Sequence, residues 1–210
     1  MIIAIDGPAA AGKGTLTRKL ANYYNLALLD TGLIYRAVGL KAVLNGDPSD
    51  SEIAIQAAKS LDLADLKIHG IRGELAAKSA SLVAAIPAVR DVLLEFQREF
   101  AHNPPDGKLG SILDGRDIGT VVCPDAKFKL FITASLEVRT DRRYKELQER
   151  GEEAIRSAVL DDIKKRDERD IARALSPLKP AGDAKIIDSS DFNASEVFSL
   201  AQEFISSQMK

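Results

Sequence analysis

Gly7-Pro8-Ala9-Ala10-Ala11-Gly12-Lys13-Gly14-Thr15 is the segment whose residue types and spacing most directly imply chemistry. Glycines let successive backbone N–H groups turn inward around phosphate oxygens. A helix opening at Lys13 would add positive potential at its N-terminus, and the lysine supplies a full charge to the β- and γ-phosphates. An apolar stretch, Ile2 to Ile5, precedes the segment, and Leu16 to Tyr24 can continue as helix. Strand, loop, lysine and helix together predict a phosphate-binding loop. Gly14 stands where Ser or Thr usually follows the lysine, and Thr15 comes one position later. The expectation is therefore a Mg²⁺ ion held mainly by nucleotide phosphates and water, since this ion gives up its waters reluctantly. Thr15 is the one candidate protein ligand.

Arginines form the second feature. From Ser135 to Arg150 the chain reads as a helix, and at about 100° per residue Arg139, Arg142, Arg143 and Arg150 fall within an arc of roughly 100°. A second helix is predicted from Asp161 to Ala174, with Arg166, Arg169, Asp170 and Arg173 at i, i+3, i+4 and i+7. Stacked like charges cost about 0.2–0.5 kcal/mol per pair, a cost that an incoming polyphosphate reverses. Arginine suits that role because its planar fork grips phosphoryl oxygens two at a time. The ordinary alternative is a solvated face neutralised by Asp162, Asp167, Glu168 and Asp170; the neighbouring phosphate loop favours the functional reading.

The elements that must position these groups follow an α/β pattern, short apolar runs alternating with longer amphipathic segments. Strands are expected near Ile2 to Asp6, Leu26 to Leu29, Ser111 to Leu113, Lys127 to Ile132 and Ala184 to Ile187, giving a five-stranded parallel sheet flanked by helices. Pro87 fits the first turn of a helix through Val89, Val92, Leu93 and Phe96. Asn193 is a candidate cap for a last helix burying Val197, Leu200, Ala201, Phe204 and Ile205. Leu61 to Arg72 is poorly periodic and is read as a loop or one irregular strand. Asn103-Pro104-Pro105-Asp106-Gly107 is a connector.

Composition narrows the class. The 29 Lys and Arg against 31 Asp and Glu leave a formal charge of −2, no general attraction for nucleic acid or anionic lipid. With 45 % hydrophobic residues, 210 residues suffice for one sizeable core. The single Cys123 excludes an internal disulfide and fits a reducing compartment. No apolar run approaches the roughly 18 residues of a membrane span. His69 and His102 lack metal-ligand neighbours. The expectation is a cytoplasmic enzyme, a monomer, with neither nucleic-acid nor membrane partners.

Several further segments resemble one family. Asp30-Thr31-Gly32-Leu33-Ile34-Tyr35-Arg36, Ser81 to Arg90, Asp114-Gly115-Arg116-Asp117-Ile118-Gly119-Thr120-Val121-Val122 and Arg166-Asp167-Glu168-Arg169-Asp170 with Arg173 resemble the signature segments of bacterial cytidylate kinases. Pro177-Leu178, Ala181, Asp183-Ala184 and Asp188-Ser189-Ser190 resemble that family's C-terminal part. The resemblance implies a P-loop kinase domain over 1–210, with an NMP-binding insertion near 58–102 and an arginine-bearing lid near 146–165. It implies transfer of the γ-phosphate of ATP to CMP or dCMP with Mg²⁺. Carried over, Ser81, Arg90 and Asp117 match the cytosine contacts, and Asp170 and Arg173 the sugar contacts. Arg36, Arg116 and Arg166, with Thr31 and Tyr35, match the acceptor-phosphate pocket. Lys13, Arg116, Arg139, Arg143 and Arg166 are the expected catalytic set. Between Leu61 and Ile71 much of the family's usual strand insertion is missing, and Gly73 replaces a customary Thr. Two rivals remain at this level: a P-loop kinase for another acceptor such as UMP, AMP or shikimate, and a nucleotide switch that binds without transfer.

Overall fold

The computed structural model describes residues 1–173 and 175–209. The chain divides into two compact units, one of residues 1–28 with 104–210 and one of residues 29–103.

The first unit carries β1 (Ile2–Asp6), α1 (Lys13–Tyr24), β3 (Ser111–Gly115), β4 (Phe128–Thr133), α6 (Leu136–Glu149), α7 (Arg156–Ile171), β5 (Lys185–Asp188) and α8 (Ala194–Met209). With β2 (Ala27–Asp30), where the chain passes from one unit to the other, these strands form a sheet in the order β2-β3-β1-β4-β5. β1 runs parallel to β3 and β4, and β4 runs parallel to β5. Strands covered by helices on both faces must be apolar throughout rather than alternating. Ile3, Ala4 and Ile5 accordingly have no exposed surface. Leu16, Leu20 and Ala21 of α1 and Val197, Ala201 and Ile205 of α8 close the same core over Ile112, Leu130 and Ile132. Asn193 caps α8, its side-chain oxygen accepting from the Ser195 and Glu196 amides at 2.8 and 3.1 Å.

The topology decides where chemistry can sit. β1 lies between β3 on one side and β4 on the other, so the connections leaving its carboxyl end diverge and open a crevice there. Gly7–Thr15 follows β1, Arg116 and Asp117 follow β3, Ala134 follows β4 and Ser189 follows β5. All five expected strands are present. The second arginine helix begins at Arg156, five residues before the expected start, because Val159 and Ile163 give it a buried face one turn earlier than its charges suggest. It ends at Ile171; the expected end at Ala174 lies outside the described residues.

The second unit is helical: α2 (Thr31–Asn45), α3 (Ser51–Lys59), a 3₁₀ turn (Leu63–Lys67), α4 (Glu74–Val83) and α5 (Pro87–His102). Pro87 occupies the first turn of α5, as expected. α2 packs on α4 where Gly39 has no side chain; a Cβ there would lie 2.6 Å from Ser79 Oγ and 2.7 Å from the Ala80 nitrogen. The irregular stretch after Leu61 is the 3₁₀ turn, with no strand among its described residues. Asp62 and Asp65 cap it reciprocally, and Lys41 from α2 donates to Asp65 at 2.7 Å. Among the described residues no helix is long and apolar enough to cross a membrane.

Candidate active site

The loop after β1 is shaped by sterics. At Gly7 a Cβ would stand 1.9 Å from the Ile132 carbonyl oxygen, and its φ of 146° lies in a region side chains avoid. Ala10 and Gly12 adopt φ of 58° and 90°, so left-handed residues recur along the loop. Backbone of this kind presents successive N–H groups to one concavity, a nest for anions. α1 starts at Lys13 with Gly12 as its N-cap and without a side-chain cap, so its first amides are left to a ligand.

Lys13 is only 6 % exposed. Its ammonium donates to the Pro8 carbonyl at 2.9 Å and stands 3.8 Å from Asp114 Oδ1. Burial pushes its pKa down to about 8, and the charges of Arg116 and Arg166 push the same way against Asp114 and Asp6. The loop lysine is thus a desolvated cation that a phosphate would stabilise. Asp114, at the end of β3, also stands 3.8 Å from where a Gly14 Cβ would be, at ordinary contact distance.

The expected arginines converge on acidic partners. Arg116 donates from Nε to Asp170 Oδ2 at 3.0 Å and from Nη1 to the Gly115 carbonyl at 3.0 Å. Arg173 donates to the other oxygen of Asp170 at 2.5 Å. Asp170, 3 % exposed, therefore joins three of the predicted site residues into one cluster. Arg139 reaches the loop directly: Nη1 donates to the Ala9 carbonyl at 3.4 Å and pairs with Asp167 Oδ2 at 2.7 Å, while Nε donates to the Ala134 carbonyl. Arg143 turns to Glu146 on its own helix at 2.8 Å, and Arg150 pairs with the same glutamate. Arg166 is exposed.

Of the remaining expected residues, Asp117 follows β3 in the first unit and the others belong to the second. Tyr35 and Arg36 lie on α2, Ser81 on α4 and Arg90 on α5. The Arg90 guanidinium sits 5.8 Å from the Tyr35 ring centroid, a cation–π contact. Arg36 donates to the Ile71 carbonyl at 3.1 Å. Ser81, exposed, donates to the Ala77 carbonyl of its own helix at 3.2 Å. Thr31 is buried at the start of α2.

Three residues of this site were given no site role from sequence. Arg142 donates to Ser189 Oγ at 2.8 Å and to the Ser189 carbonyl at 2.7 Å. Ser189 Oγ donates in turn to the Ala11 carbonyl at 3.1 Å, bracing the loop from the end of β5. Arg142 was already placed on the α6 arginine face, and Ser189 lay in the segment Asp188-Ser189-Ser190 that resembles the family's C-terminal part. Asp6 is 3 % exposed and accepts from the Ile118 and Gly119 amides at 2.8 Å each. Its only signal was a carboxylate closing an apolar strand.

The oxygen donors beside the loop suit a hard cation. Asp114 offers a carboxylate and Thr15 an exposed hydroxyl, and no group of three or more His, Cys, Asp or Glu able to hold a metal occurs among the described residues. This set fits a Mg²⁺ that brings most of its ligands from phosphates and water.

Comparisons with known proteins agree with this geometry. Residues 3–207 match the family model described as cytidylate kinase. A cytidylate kinase of Paramagnetospirillum magneticum is 57 % identical over 208 residues, covering 99 % of this chain and 98 % of the relative. One of Rhodospirillum rubrum is 50 % identical over 206 residues, covering 98 % and 97 %. A crystal structure of an uncharacterized protein from Eubacterium ventriosum aligns over 99 % of both chains with a TM-score of 0.57 at 16 % identity, a likeness of fold.

Proposed function

The chain belongs to the cytidylate kinase family, and from this we infer that it transfers the γ-phosphoryl group of ATP to CMP or dCMP, giving ADP and CDP or dCDP. The observation that carries this reading is the buried Lys13 ammonium beneath the loop, with the Arg116–Asp170–Arg173 cluster in the same unit.

The reaction needs little covalent help from the protein. An oxygen of the acceptor phosphate forms a bond to the γ-phosphorus while the bond from that phosphorus to the β–γ bridging oxygen breaks, and ADP leaves with the electron pair. No general base is required, because the acceptor phosphate is already largely dianionic at neutral pH. Catalysis is then alignment and charge neutralisation. Lys13 and the loop amides hold the donor phosphates, and Arg139 and Arg143 of α6 with Arg166 of α7 neutralise charge on the group in transit. Mg²⁺, when bound, would neutralise donor-phosphate charge, with Asp114 and Thr15 as its nearest protein ligands.

Arg36, Arg116 and Arg166, with Thr31 and Tyr35, are assigned to the acceptor phosphate; Asp170 and Arg173 to its sugar; Ser81, Arg90 and Asp117 to its base. Cytosine offers an N4 amino donor, which the Asp117 carboxylate accepts, and acceptors at N3 and O2, which Arg90 and Ser81 satisfy. Uracil reverses the pattern at its O4 and N3, leaving polar groups unmatched at about 1–3 kcal/mol each. Segment 58–102 is assigned to acceptor binding and 146–165 to a lid that excludes water from the phosphoryl group. We assign the enzyme to the cytoplasm as a monomer.

The test is coupled ADP release from MgATP with CMP, dCMP, UMP, AMP and no acceptor in parallel. Turnover concentrated on CMP and dCMP is expected. Turnover on UMP or AMP instead would keep the kinase and discard the base assignment. Asp117→Ala is expected to raise KM for CMP far more than KM for ATP.

A further inference from the structure

Asp117 begins a π-helical turn, Ile118–Val122, whose i→i+5 bonds run from the Val122 amide to the Asp117 carbonyl at 3.1 Å and from the Cys123 amide to the Ile118 carbonyl at 2.7 Å. An aspartate preceding a helical turn ordinarily caps it, its own carboxylate accepting from the first amides. Asp117 makes no such bond. The capping carboxylate comes instead from Asp6, 112 residues earlier, at the end of β1: Oδ1 accepts from the Ile118 amide and Oδ2 from the Gly119 amide, both at 2.8 Å. We propose that Asp6 is a positioning residue for acceptor recognition, supplying the cap that the turn needs so that the Asp117 carboxylate can be directed to the acceptor base.

Three further observations support the assignment. Both oxygens of Asp6 are used on two consecutive amides, which fixes the turn in rotation as well as in distance; a single bond would leave it able to swivel. Gly119 is fitted to this contact, since a Cβ there would stand 3.4 Å from Asp6 Oδ2 and 3.3 Å from Lys129 Cδ. The carboxylate is held at a cost, because burial pushes its pKa up to about 6 against the two amide bonds. Asp117 raises it further and Lys13 of α1 opposes. A buried charge kept at such a cost, one residue before the donor loop, ties the loop's base to the segment assigned to the acceptor.

This inference rests on the assignment of Asp117 to the acceptor base, so the two are tested separately. The base assignment is judged on the wild-type enzyme and Asp117→Ala. The Asp6 role is judged on Asp6→Asn, which keeps shape but sets an NH₂ group against one of the two amides. The expected result is a KM for CMP raised about tenfold or more, from losing a charge-assisted bond. KM for ATP should stay within about twofold and the CMP-over-UMP preference in kcat/KM should shrink. A KM for ATP rising in step with that for CMP, or neither rising, overturns the proposal and leaves Asp6 a support for the carboxyl end of β1. Should Asp6→Asn fail to fold by circular dichroism, Gly119→Ala crowds the same contact more gently. It is expected to raise KM for CMP by about threefold with KM for ATP unchanged, and an unchanged KM for CMP in that variant would equally overturn the role.

Discussion

The loop after β1 and the site arginines both concentrate positive charge, but in opposite ways. Lys13 is buried, bonded to a backbone carbonyl, and 3.8 Å from the nearest carboxylate, so desolvation lowers its pKa to about 8. The arginines instead sit against close partners: Arg139 on Asp167 at 2.7 Å, Arg143 on Glu146 at 2.8 Å, and Arg116 and Arg173 on the two oxygens of Asp170. The loop is thus built ahead of its ligand and strained in its favour. The arginines are parked on carboxylates from which a phosphate can draw them. Under the proposed assignment, one region stores a cost that binding would relieve; the other would exchange one anion for another, with little net gain until the transition state spreads negative charge over the transferring group.

The largest test of this contrast is Lys13→Ala. Removing this buried cation should lower kcat by about a thousandfold. Arg139→Ala should cost about tenfold less, because Asp167 already neutralises part of that charge at rest. Equal losses in the two variants, measured by coupled ADP release, would erase the distinction. The next effect sharpens the loop side. Because Lys13 in the free enzyme titrates near 8 instead of 10.5, it loses its charge as pH rises through about 8. kcat/KM for ATP should therefore fall about tenfold per pH unit above that point. A profile flat to pH 9.5 would show that Lys13 keeps its charge and that the loop is not desolvated. The smallest effect concerns the parked arginines. Asp167→Asn should lower unfolding free energy by about 1 kcal/mol in urea titration while kcat changes by less than about threefold. An unchanged midpoint would mean that Arg139 and Asp167 do not pair in the resting enzyme.

Segments governed by neighbours in sequence were legible early. The central strands announce themselves as apolar runs because a parallel sheet covered on both faces demands them, and the loop from Gly7 to Thr15 declares itself because its glycines, lysine and helix are contiguous. Pro87 at the head of α5 and Asn193 before α8 belong to the same class, each acting within one turn of its own position. The start of α7 was misplaced because its charged residues mask the buried Val159 and Ile163. The 3₁₀ turn at Leu63–Lys67 was missed because Lys41, from another helix, helps to hold it.

What sequence alone determined, then, is the order of elements, the phosphate loop and the arginine spacing, all products of periodicity and short-range backbone sterics. What only the tertiary structure decided is which carboxylate holds which cation and which amide. Asp6 reaching Ile118 and Gly119, Asp170 joining Arg116 to Arg173, and Ser189 bracing Ala11 each span from a few dozen to more than a hundred residues along the chain, except for the local pair of Asp170 with Arg173. Such partnerships depend on the strand order β2-β3-β1-β4-β5, which sets the ends of β1, β3, β4 and β5 along one edge of the sheet, and no local pattern of residues encodes that order.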